Sequence, residues 1–156
     1  MAAPLVQWYD STNTTQLSDW QIGTWDAGSV STDKTFLVWN NRGGTSVVAD
    51  MTNCTITTKD SLGGNTGEIV LNKWIEAKID SLSETLYTPV GGNVTKLIQA
   101  GNLTAGDAGH IKGSINSGAL TDVTCYSKFT LHANVPATAT AGNFTFLTRV
   151  AYQYTA

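Results

Sequence analysis

Two histidines are the first residues to weigh for chemistry, because histidine is the side chain whose charge changes near neutral pH. His110 sits in the glycine-rich stretch "GDAGHIKGS" and His132 in the alternating run "CYSKFTLHANV". They lie on different segments, and neither belongs to an HExxH pattern or has a second histidine at metal-ligand spacing. Each reads as a surface or turn histidine. Serines are abundant, but no GxSxG elbow exposes one as a nucleophile. Asp19, Asp26, Glu76 and Asp80 would have to converge in pairs to hydrolyse a glycoside. Their spacing suits carboxylates that keep strand surfaces soluble. "NRGGTS" and "GGNTGE" are rich in glycine, yet neither ends in Lys-Ser/Thr or opens a helix whose first turn could hold a phosphate. They read as hairpin turns. The expectation is therefore a non-enzymatic protein, with no catalytic residue, cofactor or metal site.

The aromatic residues offer a different function. Trp8, Tyr9, Trp20 and Trp25 precede the best-defined strands, and exposed aromatics of this kind anchor partner subunits or stack on sugar rings. Trp8, Tyr9 and Trp20 are the expected interface, with "DSTNTT" as its polar rim. Trp39 and Trp74 fall in strand patterns and are expected in the core. The two cysteines, Cys54 and Cys125, are far apart in alternating runs and form no CxxC motif. They read as buried reduced thiols, with a disulfide across the core as the alternative.

These residues must be held by strands. "KTFLVWNN", residues 34 to 41, is a β-branched and aromatic run closed by the turn signal "NNRGG". "TSVVADMTNCTITTKD" continues as a strand, bulged or broken near Asp50 to Thr52. In "KWIEAKID", Ile75, Ala77 and Ile79 alternate with Trp74, Glu76, Lys78 and Asp80, which predicts a strand over residues 72 to 80. A short helix over Leu82 to Leu86 is compatible with the same segment. Residues 88 to 122 scatter glycines among short apolar pieces and read as a loop or hairpin excursion, a common place for partner contacts. Cys125, Ser127, Phe129, Leu131, Ala133 and Val135 then alternate with Tyr126, Lys128, Thr130 and His132, which predicts a half-buried strand. Pro136 ends it. Phe144, Phe146, Thr148, Val150, Tyr152 and Tyr154 line one face of a closing strand. Many short strands with almost no helix imply an all-β, antiparallel β-sandwich spanning residues 1–156 as one domain, with residues 1–27 an N-terminal arm or edge strands.

Composition narrows the partners. Only 13% of the 156 residues are charged, about half the share usual in globular proteins, and the formal net charge is −3. With no Lys/Arg cluster, neither nucleic acid nor an anionic membrane is an expected partner. No apolar run is long enough to cross a bilayer as a helix, and "MAAPLVQWYDST" has neither the basic nor the apolar region of a signal peptide. The expectation is a soluble chain made in the cytoplasm without export.

Two stretches, "FLVWNNRGGTSVVADM" and "FTLHANVPATATAGNFTFLTRVAYQY", resemble the immunoglobulin-like sandwiches of bacterial surface proteins and bacteriophage virions. In that group a "VP", small residues, a glycine and an aromatic link the last two strands. The chain looks most like small phage structural proteins such as capsid decoration proteins. The resemblance implies an immunoglobulin-like fold, a place in the virion, and the major capsid protein, other virion subunits or a second copy of the chain as partners. The alternative is a carbohydrate-binding module or tail-associated adhesin, with glycans as ligands.

Overall fold

The computed structural model describes residues 1–103 and 106–156, so residues 104 and 105 of the 88–122 excursion lie outside the described residues. The chain forms a β-sandwich of two antiparallel sheets. The larger is built from β1 (Val6–Asp10), β2 (Lys34–Asn40), β7 (Tyr126–Ala133), β4 (Ile75–Lys78) and β5 (Thr88–Val90), in the order β1-β2-β7-β4-β5. The smaller consists of β6 (Lys96–Leu97), β3 (Thr52–Asp60) and β8 (Phe146–Gln153), in the order β6-β3-β8.

Alternation decides what fills the gap between the sheets. Register places Phe36 opposite Phe129, and Ile75 opposite Ala133 and Val90, so these side chains share the inner face of the larger sheet. Cys54 and Ile56 face them from β3, and Phe146 and Val150 pack at the margin from β8. The bulge expected near Asp50 to Thr52 is present as a register shift between Thr52 and Thr55. Cys54 and Cys125 are both free and buried, as their alternation predicts. They lie in separate clusters, Cys54 in the inter-sheet core and Cys125 with Tyr9, Leu37, Trp39 and Tyr126.

The region around residues 68 to 82 differs from the single strand predicted for 72 to 80. One helical turn, α1 (Glu68–Leu71), comes first, and Lys73 at φ 50° reverses the chain so that β4 starts only at Ile75. A 3-10 turn at Asp80–Leu82 then ends the segment, earlier than the short helix compatible with the sequence. Burial of Ile75, Ala77 and Ile79 follows the alternation.

The 88–122 excursion is laced onto β3 and the chain just before it. The backbone N–H groups of Cys54 and Ile98 donate to Gly109 and Cys54, and Met51 and Ile111 exchange backbone bonds at 2.9 Å. This close approach explains the glycines. A Cβ on Gly113 would lie 2.3 Å from the Val48 carbonyl oxygen, and one on Gly109 would lie 2.8 Å from the Cys54 nitrogen.

Candidate functional site

β7 is expected to be half-buried, yet both of its faces are covered. His132 is only 7% exposed, which corrects its reading as a surface histidine. The reason is a polar layer on the outer side of the larger sheet. Register sets Glu76 directly opposite His132, and the ring's Nε2 lies 2.8 Å from Glu76 Oε1 while Nδ1 lies 2.9 Å from Asp33 Oδ1. Tyr87 stacks on the imidazole with centroids 3.8 Å apart. Beside it, the Thr130 hydroxyl donates to Asp80 at 2.6 Å and is 2.8 Å from the Thr35 hydroxyl. Glu76 and Asp80, read as solubilising carboxylates, are thus built into this layer.

The electrostatics follow from these contacts. The hydrogen bond from His132 is the main influence that holds the Asp33 carboxyl below its usual range. Burial first, and then the adjacent Asp33 carboxylate, push the Tyr87 phenol up. Ionised carboxylates only accept hydrogen bonds, so the imidazole satisfies both neighbours when each ring nitrogen carries a hydrogen. A ring engaged at both nitrogens braces the 31–33 segment against β4 and β7. His110 is held in a similar way, with Nε2 2.8 Å from Asp50 Oδ2 and Nδ1 3.7 Å from Asp107 Oδ1. Among the described residues, no group of three or more His, Cys, Asp or Glu is placed to hold a metal ion.

The expected interface residues divide between two faces. Trp8 points between the sheets and meets Phe36 and Phe129 edge-on, at 5.8 and 5.7 Å. Trp20 meets Phe36 at 5.6 Å and Phe146 at 5.9 Å, so it bridges the two sheets where β1 and β8 leave the sandwich open. Trp8 and Trp20 together line a cleft of about 120 Å³ with Leu17, Asp19 and Thr148. Tyr9, one residue on from Trp8, points to the opposite face because strand side chains alternate. It is buried under the Arg42 guanidinium, which lies 3.9 Å from its ring centroid.

Thr148 brings β8 to the rim of this cleft, and large apolar side chains are exposed along the strand and its flanks. Phe144, Leu147, Tyr152 and Tyr154 are all exposed. Alternation puts Tyr152 and Tyr154 on the same face as Phe146, Thr148 and Val150, yet the two tyrosines are exposed whereas those three are half-buried. A more polar depression of about 440 Å³ lies at the far side of the larger sheet, lined by Lys73, Trp74, Glu76, Pro89 and Asn134 among others. Neither a protein-family model nor a curated protein matches the chain.

Proposed function

We propose that the protein is a non-enzymatic structural component of a bacteriophage particle, an immunoglobulin-like sandwich that docks on the capsid surface and reinforces it. The observation that carries this reading is the exposure of four large apolar side chains along the last strand and its flanks, Phe144, Leu147, Tyr152 and Tyr154, on a chain with very little charge. Such a surface suits contact with a protein shell, where many copies each bury modest apolar area and attachment is multivalent. The sequence resemblance supplies the identity of the shell.

The glycan-binding alternative has weaker support. Trp39 and Trp74 are buried in packed clusters, and Trp8 and Trp20 meet Phe36 edge-on instead of forming a flat row on which sugar rings could stack. The deciding experiment is quantitative mass spectrometry of purified particles. Hundreds of copies per particle support a lattice role. A handful points to a tail position and the adhesin reading, and absence from particles overturns the proposal.

A further inference from the structure

Each sheet has two edge strands, and unpaired edges invite association unless they are guarded by shortness, proline, charge or a covering segment. Three of the four are guarded here. Along β1, the Asp10 N–H donates to Thr15 O and the Leu17 N–H to Trp8 O, so the following segment covers that edge. β5 has three residues with Pro89 at its centre, and β6 has two, one of them Lys96. β8 is different. It runs eight residues, "FLTRVAYQ", without proline or glycine and with Arg149 as its sole charge. It pairs only with β3, and no other backbone–backbone hydrogen bond among the described residues involves it.

We propose that β8 is a self-association edge, pairing antiparallel with β8 of a second copy about a twofold axis through Val150 and joining two β6-β3-β8 sheets into one. Residues directly opposite in an antiparallel pair share a face, and a twofold normal to the sheet keeps the outer face outward, so the axis must pass through a residue. Only Arg149 and Val150 are central enough to use the strand's length. An axis at Arg149 would set two guanidiniums opposite each other, which is destabilising. An axis at Val150 sets Arg149 opposite Ala151, Leu147 opposite Gln153, and Phe146 opposite Tyr154. The charge pattern thus selects one register, and the aromatic pairs at its ends extend the Trp20–Phe146 cluster of each protomer. A second copy fits this edge because the strand is self-complementary in that register, which follows from its own sequence.

The test uses the full chain alone in solution, so it succeeds or fails independently of capsid docking. Sedimentation equilibrium should show a monomer–dimer equilibrium for the wild type. Ala151 is exposed and faces Arg149 of the other copy twice over in the symmetric pair. Ala151→Lys should therefore weaken the dimer several-fold, and Ala151→Glu should tighten it several-fold. A wild-type chain that stays monomeric throughout the accessible concentration range overturns the proposal. So does a dimer whose affinity moves in the same direction, or not at all, in both variants, because a general effect on folding would not change sign with charge.

Discussion

Tyr87 lies nearly parallel to His132, with ring centroids 3.8 Å apart and planes inclined by 26°. The phenol forms the lid of a polar layer whose floor is the outer face of β7 and β4, and its ring shields the contacts from His132 to Asp33 and Glu76. Because His132 holds the Asp33 carboxyl below its usual range, the folded state binds a proton there less readily than the unfolded chain. The stabilisation is therefore present above the ordinary carboxylate range and is lost as pH falls through it. Urea midpoints measured from neutral pH down to about pH 3 should decline along this limb. His132→Asn should cost about 2–3 kcal/mol at neutral pH, the scale of hydrogen bonds to charged groups, and should flatten that decline. An unchanged acid limb in the variant would show that other groups set it.

Asn41 directly follows β2 in the left-handed region, at φ 62°, and is 2% exposed. Its side-chain amide donates to the carbonyls of Ser46 and Gly113, at 2.8 and 3.1 Å, and so ties the loop that leads from β2 to the other sheet, expected as a hairpin turn, to the 88–122 excursion. Alanine there would remove these bonds, leaving the Gly113 carbonyl with the Val48 N–H alone, and put a Cβ-bearing residue with no compensating side-chain bond at positive φ. Asn41→Ala should destabilise the fold by about 2–4 kcal/mol in chemical denaturation. Asn41→Gly keeps the backbone conformation available and should lose less.

Gly113 approaches Val48 and Ala49 so closely that a Cβ would meet both carbonyl oxygens, at 2.3 and 2.7 Å. Because those atoms are backbone, Gly113→Ala must move a strand-like segment and lose the bond from the Val48 N–H to the Gly113 carbonyl. The expected result is a lower melting temperature together with faster amide exchange at Val48. Gly106, which has open space around its Cβ position, is the control and should tolerate alanine with little change.

Cys54 is fully buried, and burial pushes its thiol up to about 12. The thiolate is the reactive form, so the native protein should resist a thiol-specific chromogenic reagent at neutral pH. Burial also raises the Cys125 thiol. Both cysteines should react once denaturant is added, giving two equivalents without prior reduction. A value near zero in denaturant would mean that the two are bridged.

The strands were legible because alternation is a local property. The run "KTFLVWN" yielded β2 to within a residue, and the run expected from Cys125 to Val135 yielded β7 with its end two residues earlier, at Ala133. The segment near Trp74 was less so, since the strand predicted for residues 72 to 80 shrinks to Ile75–Lys78, preceded by the positive-φ Lys73 and followed by a 3-10 turn. The aromatic residues of the first 27 positions were recognised as important, but their common purpose was hidden. Trp8 and Trp20 meet through Phe36 and the edge of the sandwich, whereas Tyr9 is carried to the opposite face.

By itself, then, the sequence determined the all-β character, the positions of most turns, and which residues of each strand share a face, because these depend on neighbours two to four positions away. Tertiary structure decided the rest. Asp33 and His132 are separated by 99 positions and Glu76 and His132 by 56, so no local pattern could show that a histidine on a polar face would be enclosed by acids. Nor could alternation tell that β8 would be an unguarded edge while β7, with similar patterning, would be central. Edge and centre are settled by which strands find each other, and that choice rests on the packing of side chains far apart in the chain.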